Sequence, residues 1–375
     1  MGEGLEIDMR GTTSRQVTML GWIDPGELIP ANHPIRKIRP LAEAALKDLE
    51  PTLERMYAQI GRPSIPPEHL LESCLLMALY SIRSERQFCE RLRYDLLFKW
   101  FLGLNVEDEP FDHSSFANNR QRLLEHRVSR QFFEAVVRQA RRRHLLSSSH
   151  FTVDGTLLEA WASMKSLRPR DREAGPGDGN GYTPSNPDVD FKGQRRSNLT
   201  HCSRTDPEAM MARKGLGRET KMCFSGHFLM ENRNGLVVDL ELTRASGTSE
   251  REAATVMLRR MRERVRHRRL TLGADKGYDT QDFLQACEEL RVTLHVARRE
   301  SYWGSPLLAR LATTPGYQVS QRKRKRVEEI FGWTKTVGGS RKLRYKGVER
   351  NRLWVEMTMA AYNLVRMGKL AGAPA

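Results

Sequence analysis

No two of the five cysteines (Cys74, Cys89, Cys202, Cys223 and Cys287) form a C-x-x-C pair, and their number is odd. Neither a disulfide framework nor a zinc ribbon is therefore indicated, and reduced, mostly buried thiols are expected. No apolar run approaches the roughly 18 residues of a membrane-spanning helix. The opening stretch, MGEGLEIDMRGTTSRQ, lacks the apolar core of a signal peptide, so a soluble intracellular protein is expected. Acidic residues are also outnumbered: 46 Asp and Glu face 62 Lys and Arg, a formal charge of +16. That balance favours a polyanionic partner such as nucleic acid over an acidic small molecule, although a ribosomal or membrane-surface protein fits charge alone equally well. At 375 residues and 39% hydrophobic content the chain is long enough for a substantial core in two or three domains, and it is not a disordered polycation.

Residues 34 to 147 read as helical. PEHLLESCLLMALYSI, from Pro67, carries Leu70, Leu71, Cys74, Leu75, Ala78 and Leu79 at helical spacing. A helix is expected in SERQFCERLRYDLLFKWFLGL, another in FDHSSFANNRQRLLEHR behind the capping candidates Asp112 and Ser114, and another in SRQFFEAVVRQARRRHLL. This set suits either a helix-turn-helix-like DNA-binding module or a plain bundle, and the basic face tilts the choice toward DNA.

From His150 the pattern turns to strands, with HFTVDGTLLEAWAS and then a hairpin about NRNG in TKMCFSGHFLMENRNGLVVDLELTRAS. Between them, about residues 165 to 200 are poor in apolar side chains and rich in Gly, Pro, Asp and Arg, which predicts a mobile insertion. Helix 249 to 267, strand 269 to 274, helix 280 to 290 and strand 292 to 297 follow, then two more helices. The expected class is α/β: a ribonuclease-H-like mixed sheet flanked by helices, behind an all-α N-terminal domain. The expected domains are residues 1–147 and 148–375.

Three carboxylates attract attention in this frame. Asp154 ends FTVD on the face opposite Phe151 and Val153, although Asp-Gly is also a common hairpin turn. Asp275, in TLGADKGYDT, follows an apolar strand; an ordinary strand-to-helix turn explains it, yet the carboxyl end of a strand is where α/β sheets place functional groups. The third lies in SQRKRKRVEEIFGWTKTVGG, residues 320 to 339. At about 100° per residue Val327, Ile330, Phe331, Thr334 and Val337 share one helix face, while Arg324, Glu328 and Lys335 run along its border and Glu329 points to solvent. An ordinary reading is also open here, because Arg324 and Glu328 stand at i and i+4, where an ion pair supports an exposed helix. Trp333 faces away from that apolar face, either as a base-stacking platform or as partly buried surface. His150, His227 and His295 sit in strands and receive no role.

Taken together, TVDGT, GADKGYD and RKRVEEIFGWTKTVGG resemble the three acidic motifs of the DDE transposases of bacterial insertion sequences, in the group whose glutamate helix carries a tyrosine-arginine-glutamate-lysine signature. Arg324, Glu328 and Lys335 stand at the signature spacing, and the resemblance covers nearly the whole chain. The signature tyrosine falls on Gln321, a departure, with Tyr317 nearby but out of register. The resemblance implies Asp154, Asp275 and Glu328 as catalytic residues and ligands of two Mg²⁺ ions, with Mn²⁺ as a substitute. Oxygen ligands of this kind suit Mg²⁺, and in-line phosphoryl transfer uses two such ions about 4 Å apart. Arg324 and Lys335 are the implied DNA contacts, and Trp333 is the base-stacking candidate on the same helix. The implied partners are double-stranded DNA, as terminal inverted repeats and target, and a second copy of the chain, because two DNA ends must meet. A bacterial cytoplasmic, nucleoid-associated location follows from the same resemblance. The rival readings are a nuclease or resolvase of the same fold without strand transfer, and a non-catalytic DNA-binding relative.

Overall fold

Prolines and short polar side chains set many of the helix starts in the first part of the chain. The computed structural model describes residues 24–57, 64–170, 196–215, 217–265, 269–297 and 314–371. Before His150 it contains helices α1 (Pro25–Leu28), α2 (Ile35–Lys47), α3 (Glu50–Arg55), α4 (Pro67–Leu79), α5 (Glu85–Tyr94), α6 (Leu96–Leu102), α7 (His113–Glu125) and α8 (Val128–Arg142), and no strand among the described residues. Pro67 opens α4, where a missing N–H costs nothing. Asp112 caps α7 by accepting from Ser114 N at 2.7 Å.

The segment 84–104, expected as one helix, is two. Asp95 adopts extended backbone after α5, and its carboxylate caps α6 by accepting from Phe98 N at 3.2 Å. Arg91 Nε also donates to it at 2.8 Å. A side chain that stops one helix and starts the next leaves the apolar spacing undisturbed, which is why periodicity does not reveal the break.

The chain forms two compact units by packing. One joins the residues up to Leu146 with Gly332–Gly339 and the chain from Leu353; the other comprises Ser147–Phe331 and Ser340–Arg352. The packing thus groups late residues with the N-terminal helices, whereas a cut at 147–148 would place them all in the second domain. The reason is chemical: Trp354, Val355, Met357, Met359, Ala360 and Ala361 are all buried, as in a helix apolar all round. Within the first unit Ser129 Oγ donates to Glu356 Oε2 at 2.6 Å, and Ser81 Oγ donates to Val337 O at 2.7 Å. Phe88 stacks on Phe98 at 5.6 Å in the same core.

The second unit is built on a six-stranded sheet. Its strands are β1 (His150–Glu159), β4 (Met210–Ala212), β5 (Lys221–Glu231), β6 (Val237–Arg244), β7 (Leu270–Ala274) and β8 (Val292–Val296), while β2 (Leu167–Pro169) and β3 (His201–Ser203) pair separately. Strand β5 pairs antiparallel with β1, β4 and β6, whereas β1, β7 and β8 run parallel. The order β6-β5-β1-β7-β8, three antiparallel strands followed by a parallel pair, is the ribonuclease-H-like sheet the sequence predicted. Helices α9 (Ser249–Arg264) and α10 (Gln281–Glu289) make the parallel crossovers. They are followed by α11 (Pro315–Arg324), α12 (Val327–Lys335) and α13 (Val348–Leu370).

Two buried acids hold this sheet. Glu231, fully buried, gathers the hairpin about Asn232–Gly235: its carboxylate accepts from the backbone N–H of Ser147, Arg233, Asn234 and Leu236 at 2.6–3.2 Å. Asp239 on β6 is fully buried and takes a two-pronged contact from Arg260 on α9, at 3.0 and 3.2 Å. The ends of the segment expected as mobile are ordered, with Leu167 pairing Ser203; residues 171–195 of it lie outside the described residues. Among the described residues no helix is long and apolar enough to cross a membrane.

Candidate active site

Strands β1 and β7 are parallel neighbours, and their last paired residues are Thr152 and Gly273. Asp154, within β1, and Asp275, just past the end of β7, each stand two residues beyond that pair, so the two residues come level side by side. Helix α11 packs over this pair: a Cβ on Gly273 would lie in ordinary van der Waals contact with Ser320 O at 3.6 Å and Arg324 Cβ at 3.7 Å. The end of α11, with Arg324, lies over the strand pair that leads to both acids.

Asp154 is partly buried, and its Oδ1 accepts from Gly155 N at 2.8 Å. Burial pushes its carboxyl up to about 7; the carboxylates of Asp275 and Glu250 push the same way, and the Gly155 N–H and Arg324 oppose them. Asp275 caps the short turn Lys276–Tyr278, its Oδ1 accepting from Gly277 N at 2.7 Å. Glu250 lies in the first turn of α9, and burial followed by Asp275 raises its carboxyl, with Arg251 opposing. Arg251 Nη1 also donates to Gly277 O at 3.3 Å, tying the start of α9 to the Asp275 turn.

Of the residues singled out in the sequence, Asp154, Asp275 and Arg324 are brought together, and Glu328 stands on the following helix. The single helix assumed from Arg324 to Val337 is broken at Lys325–Arg326, where Arg326 N, Glu328 N and Glu329 N bond carbonyls three residues back. Arg324 and Glu328 consequently stand on different helices, and the i,i+4 relation between them does not apply. Within α12 the apolar spacing persists, with Val327, Ile330 and Thr334 buried, and both Glu328 and Glu329 are exposed. Arg324 Nε donates to Gln321 Oε1 at 3.0 Å, and Gln321 Nε2 donates to His295 O at 2.7 Å. Lys335 and Trp333 are partly buried, and the Trp333 ring meets Tyr362 edge-on at 5.6 Å. Among the described residues no three carboxylate, imidazole or thiol side chains converge closely enough to hold a metal ion.

Sequence reasoning missed Glu250. Acids in the first turn of a helix are common because they complement its dipole, so TSERE carries no signal of its own. It also missed Tyr278, which is fully buried, packs on Phe283 at 5.3 Å and has a hydroxyl without a hydrogen-bond partner. The histidines left without a role are structural in two cases. His150 Nε2 and His295 Nδ1 both bond Ser320 Oγ at 2.7 Å, fastening α11 to the sheet. A cavity of about 520 Å³ in the helical unit, lined by Glu43, Lys47, Glu50, His69 and Glu72 among others, holds none of the predicted site residues.

Residues 24–122 match the family model described as "Transposase domain (DUF772)", and residues 196–364 match "Transposase DDE domain". The second match includes Asp275 and Glu328 and begins after Asp154. No curated protein matches the chain. Among solved structures the chain is similar to the piggyBac transposase synaptic complex with hairpin DNA, at 10% identity and TM-score 0.40, covering 94% of this chain and 77% of that one. It is also similar to the pre-cleavage Mos1 transpososome, at 12% identity and TM-score 0.20, covering 90% and 93%. The two transposase models fall in order on the helical segment and on the sheet that carries Asp275, and together they span about seven-tenths of the sequence: the chain belongs to the DDE transposases.

Proposed function

We propose that this transposase binds the terminal inverted repeats of its own element, cleaves them by divalent-metal-dependent phosphoryl transfer, and joins the freed 3′ hydroxyls to target DNA. The group with the tyrosine-arginine-glutamate-lysine signature is the one it resembles. The observation that carries the reading is the level placement of Asp154 on β1 and of Asp275 at the end of the parallel neighbour β7, with Arg324 acting on Asp154.

Asp154 and Asp275 offer carboxylate oxygens, the ligand type a hard divalent cation takes. Asp154 and Asp275 would hold it, with Glu328 as the carboxylate at the signature spacing. When bound, Mg²⁺ or Mn²⁺ polarises the scissile phosphate and stabilises the attacking and leaving oxygens. Arg324 and Lys335 offset phosphate charge, and Trp333 offers a face for a base. The net charge of +16 supports DNA as the partner. The helical segment is the part we assign to end recognition, in a homodimer that pairs two ends in the bacterial cytoplasm at the nucleoid.

Purified protein incubated with labelled element-end DNA, a target plasmid and Mg²⁺ tests this reading. Cleaved ends together with joined product are expected. Cleavage without joining reassigns the chain to a nuclease or resolvase, and binding without cleavage to a non-catalytic relative.

A further inference from the structure

Helix α11 turns a polar face to the sheet. Tyr317, Ser320, Gln321 and Arg324 share that face, and Ser320, fully buried, is the helix's one buried side chain. Apolar burial therefore does not fix where this helix lies; hydrogen bonds do. Ser320 Oγ bonds His150 Nε2 on β1 and His295 Nδ1 on β8, both at 2.7 Å, and among the described residues it bonds no other group. His295 grips the helix a second time through its carbonyl oxygen, which accepts from Gln321 Nε2 at 2.7 Å, and its ring meets Tyr317 edge-on at 5.9 Å. Arg324 stands one turn beyond Ser320, over Gly273 of β7.

A hydroxyl has one hydrogen, so Ser320 can donate to one ring and must accept from the other. If it donates to His295 Nδ1, His295 carries its own hydrogen on Nε2, and His150, donating from Nε2, does the same. If it donates to His150 Nε2, both rings carry hydrogen on Nδ1. Burial holds both rings below the ordinary imidazole value, so at about pH 7.5 both are neutral, and the shared hydroxyl gives them the same tautomer.

We propose that Ser320 is a positioning residue for Arg324: its hydroxyl, shared between two imidazoles in one common tautomer, sets the place of α11 over β1 and β7. The proposal rests on the reading of Arg324 as a cation that offsets phosphate charge.

Single-turnover cleavage and equilibrium binding of labelled element-end DNA by the full-length protein test it. Ser320→Ala is expected to lower the cleavage rate about tenfold and to leave end affinity within about threefold, because the guanidinium is displaced while the basic surface persists. In an Arg324→Ala background the same substitution is expected to cost less than about twofold, since a residue that acts through Arg324 has nothing left to position. A loss of equal size in both backgrounds overturns the positioning role, and so does wild-type cleavage in Ser320→Ala. A wild type that binds ends without cleaving them overturns the transposition reading, and the role of Ser320 with it. ¹⁵N NMR of the histidine-labelled wild type at about pH 7.5, with His150→Gln and His295→Gln to identify the signals, reads the tautomers directly. Opposite tautomers overturn the shared hydroxyl, and this measurement decides the matter if thermal melting shows that Ser320→Ala does not fold.

Discussion

Arg324 donates from Nε to Gln321 Oε1 at 3.0 Å, and Gln321 is itself anchored on the end of β8 through His295 O. The residue at the position of the signature tyrosine thus steadies the cation that faces Asp154. Gln321→Ala is expected to lower cleavage of end DNA by about tenfold, through misplacement of the guanidinium, with little change in thermal stability. Arg324→Ala is expected to lower it further. Single-turnover cleavage of labelled ends by both variants measures the difference, and equal activity in wild type and Gln321→Ala removes the positioning role.

Asp154→Asn, Asp275→Asn and Glu328→Gln are each expected to reduce Mg²⁺-dependent cleavage below about 1% of wild type while DNA binding persists, since ligands serve chemistry and surface cations serve affinity. Glu329→Gln, an exposed neighbour, should stay within about threefold. A gel assay reading binding and cleavage in the same samples separates the two effects. Substantial cleavage by any of the first three variants takes that residue out of the site.

Arg260→Ala should cost about 3 kcal/mol or more of stability, because it takes the cation away from the buried Asp239 carboxylate and also removes the 2.7 Å contact to Glu241. Urea unfolding followed by circular dichroism reports it. A loss below about 1 kcal/mol places the pair among ordinary surface ion pairs.

Burial holds His150 below the ordinary imidazole value, helped by His295 and Lys323, and burial does the same to His295. A depressed folded value means that the folded state prefers neutral rings. Stability is then complete above the unfolded value of about 6.5 and declines as pH falls below it through the folded values. The urea midpoint should be lower at about pH 5.5 than at about pH 7.5, and His150→Gln should show a smaller drop. An equal drop in the variant assigns the effect to other groups.

The elements of this protein were legible because apolar periodicity and capping are local. Leu270–Ala274, Gln281–Glu289 and Val292–Val296 each fall inside the segments that their side-chain spacing predicts. Asp154 and Asp275 were legible for the same reason, since each sits at a strand position recognisable from its immediate neighbours. What the spacing could not convey is register between distant segments. The two aspartates are level because β1 pairs with β7 at Thr152 and Gly273, residues far apart in the chain. The break at Lys325–Arg326 belongs here too, because the strongly basic run around it reads as one uninterrupted helix until the buried positions of α11 and α12 are satisfied separately, Ser320 on one side and Val327, Ile330 and Thr334 on the other. Charge, helix spacing and turn chemistry were therefore settled residue by residue, while the company each carboxylate keeps was decided by tertiary packing, where burial and close approach act over distances the linear chain does not encode.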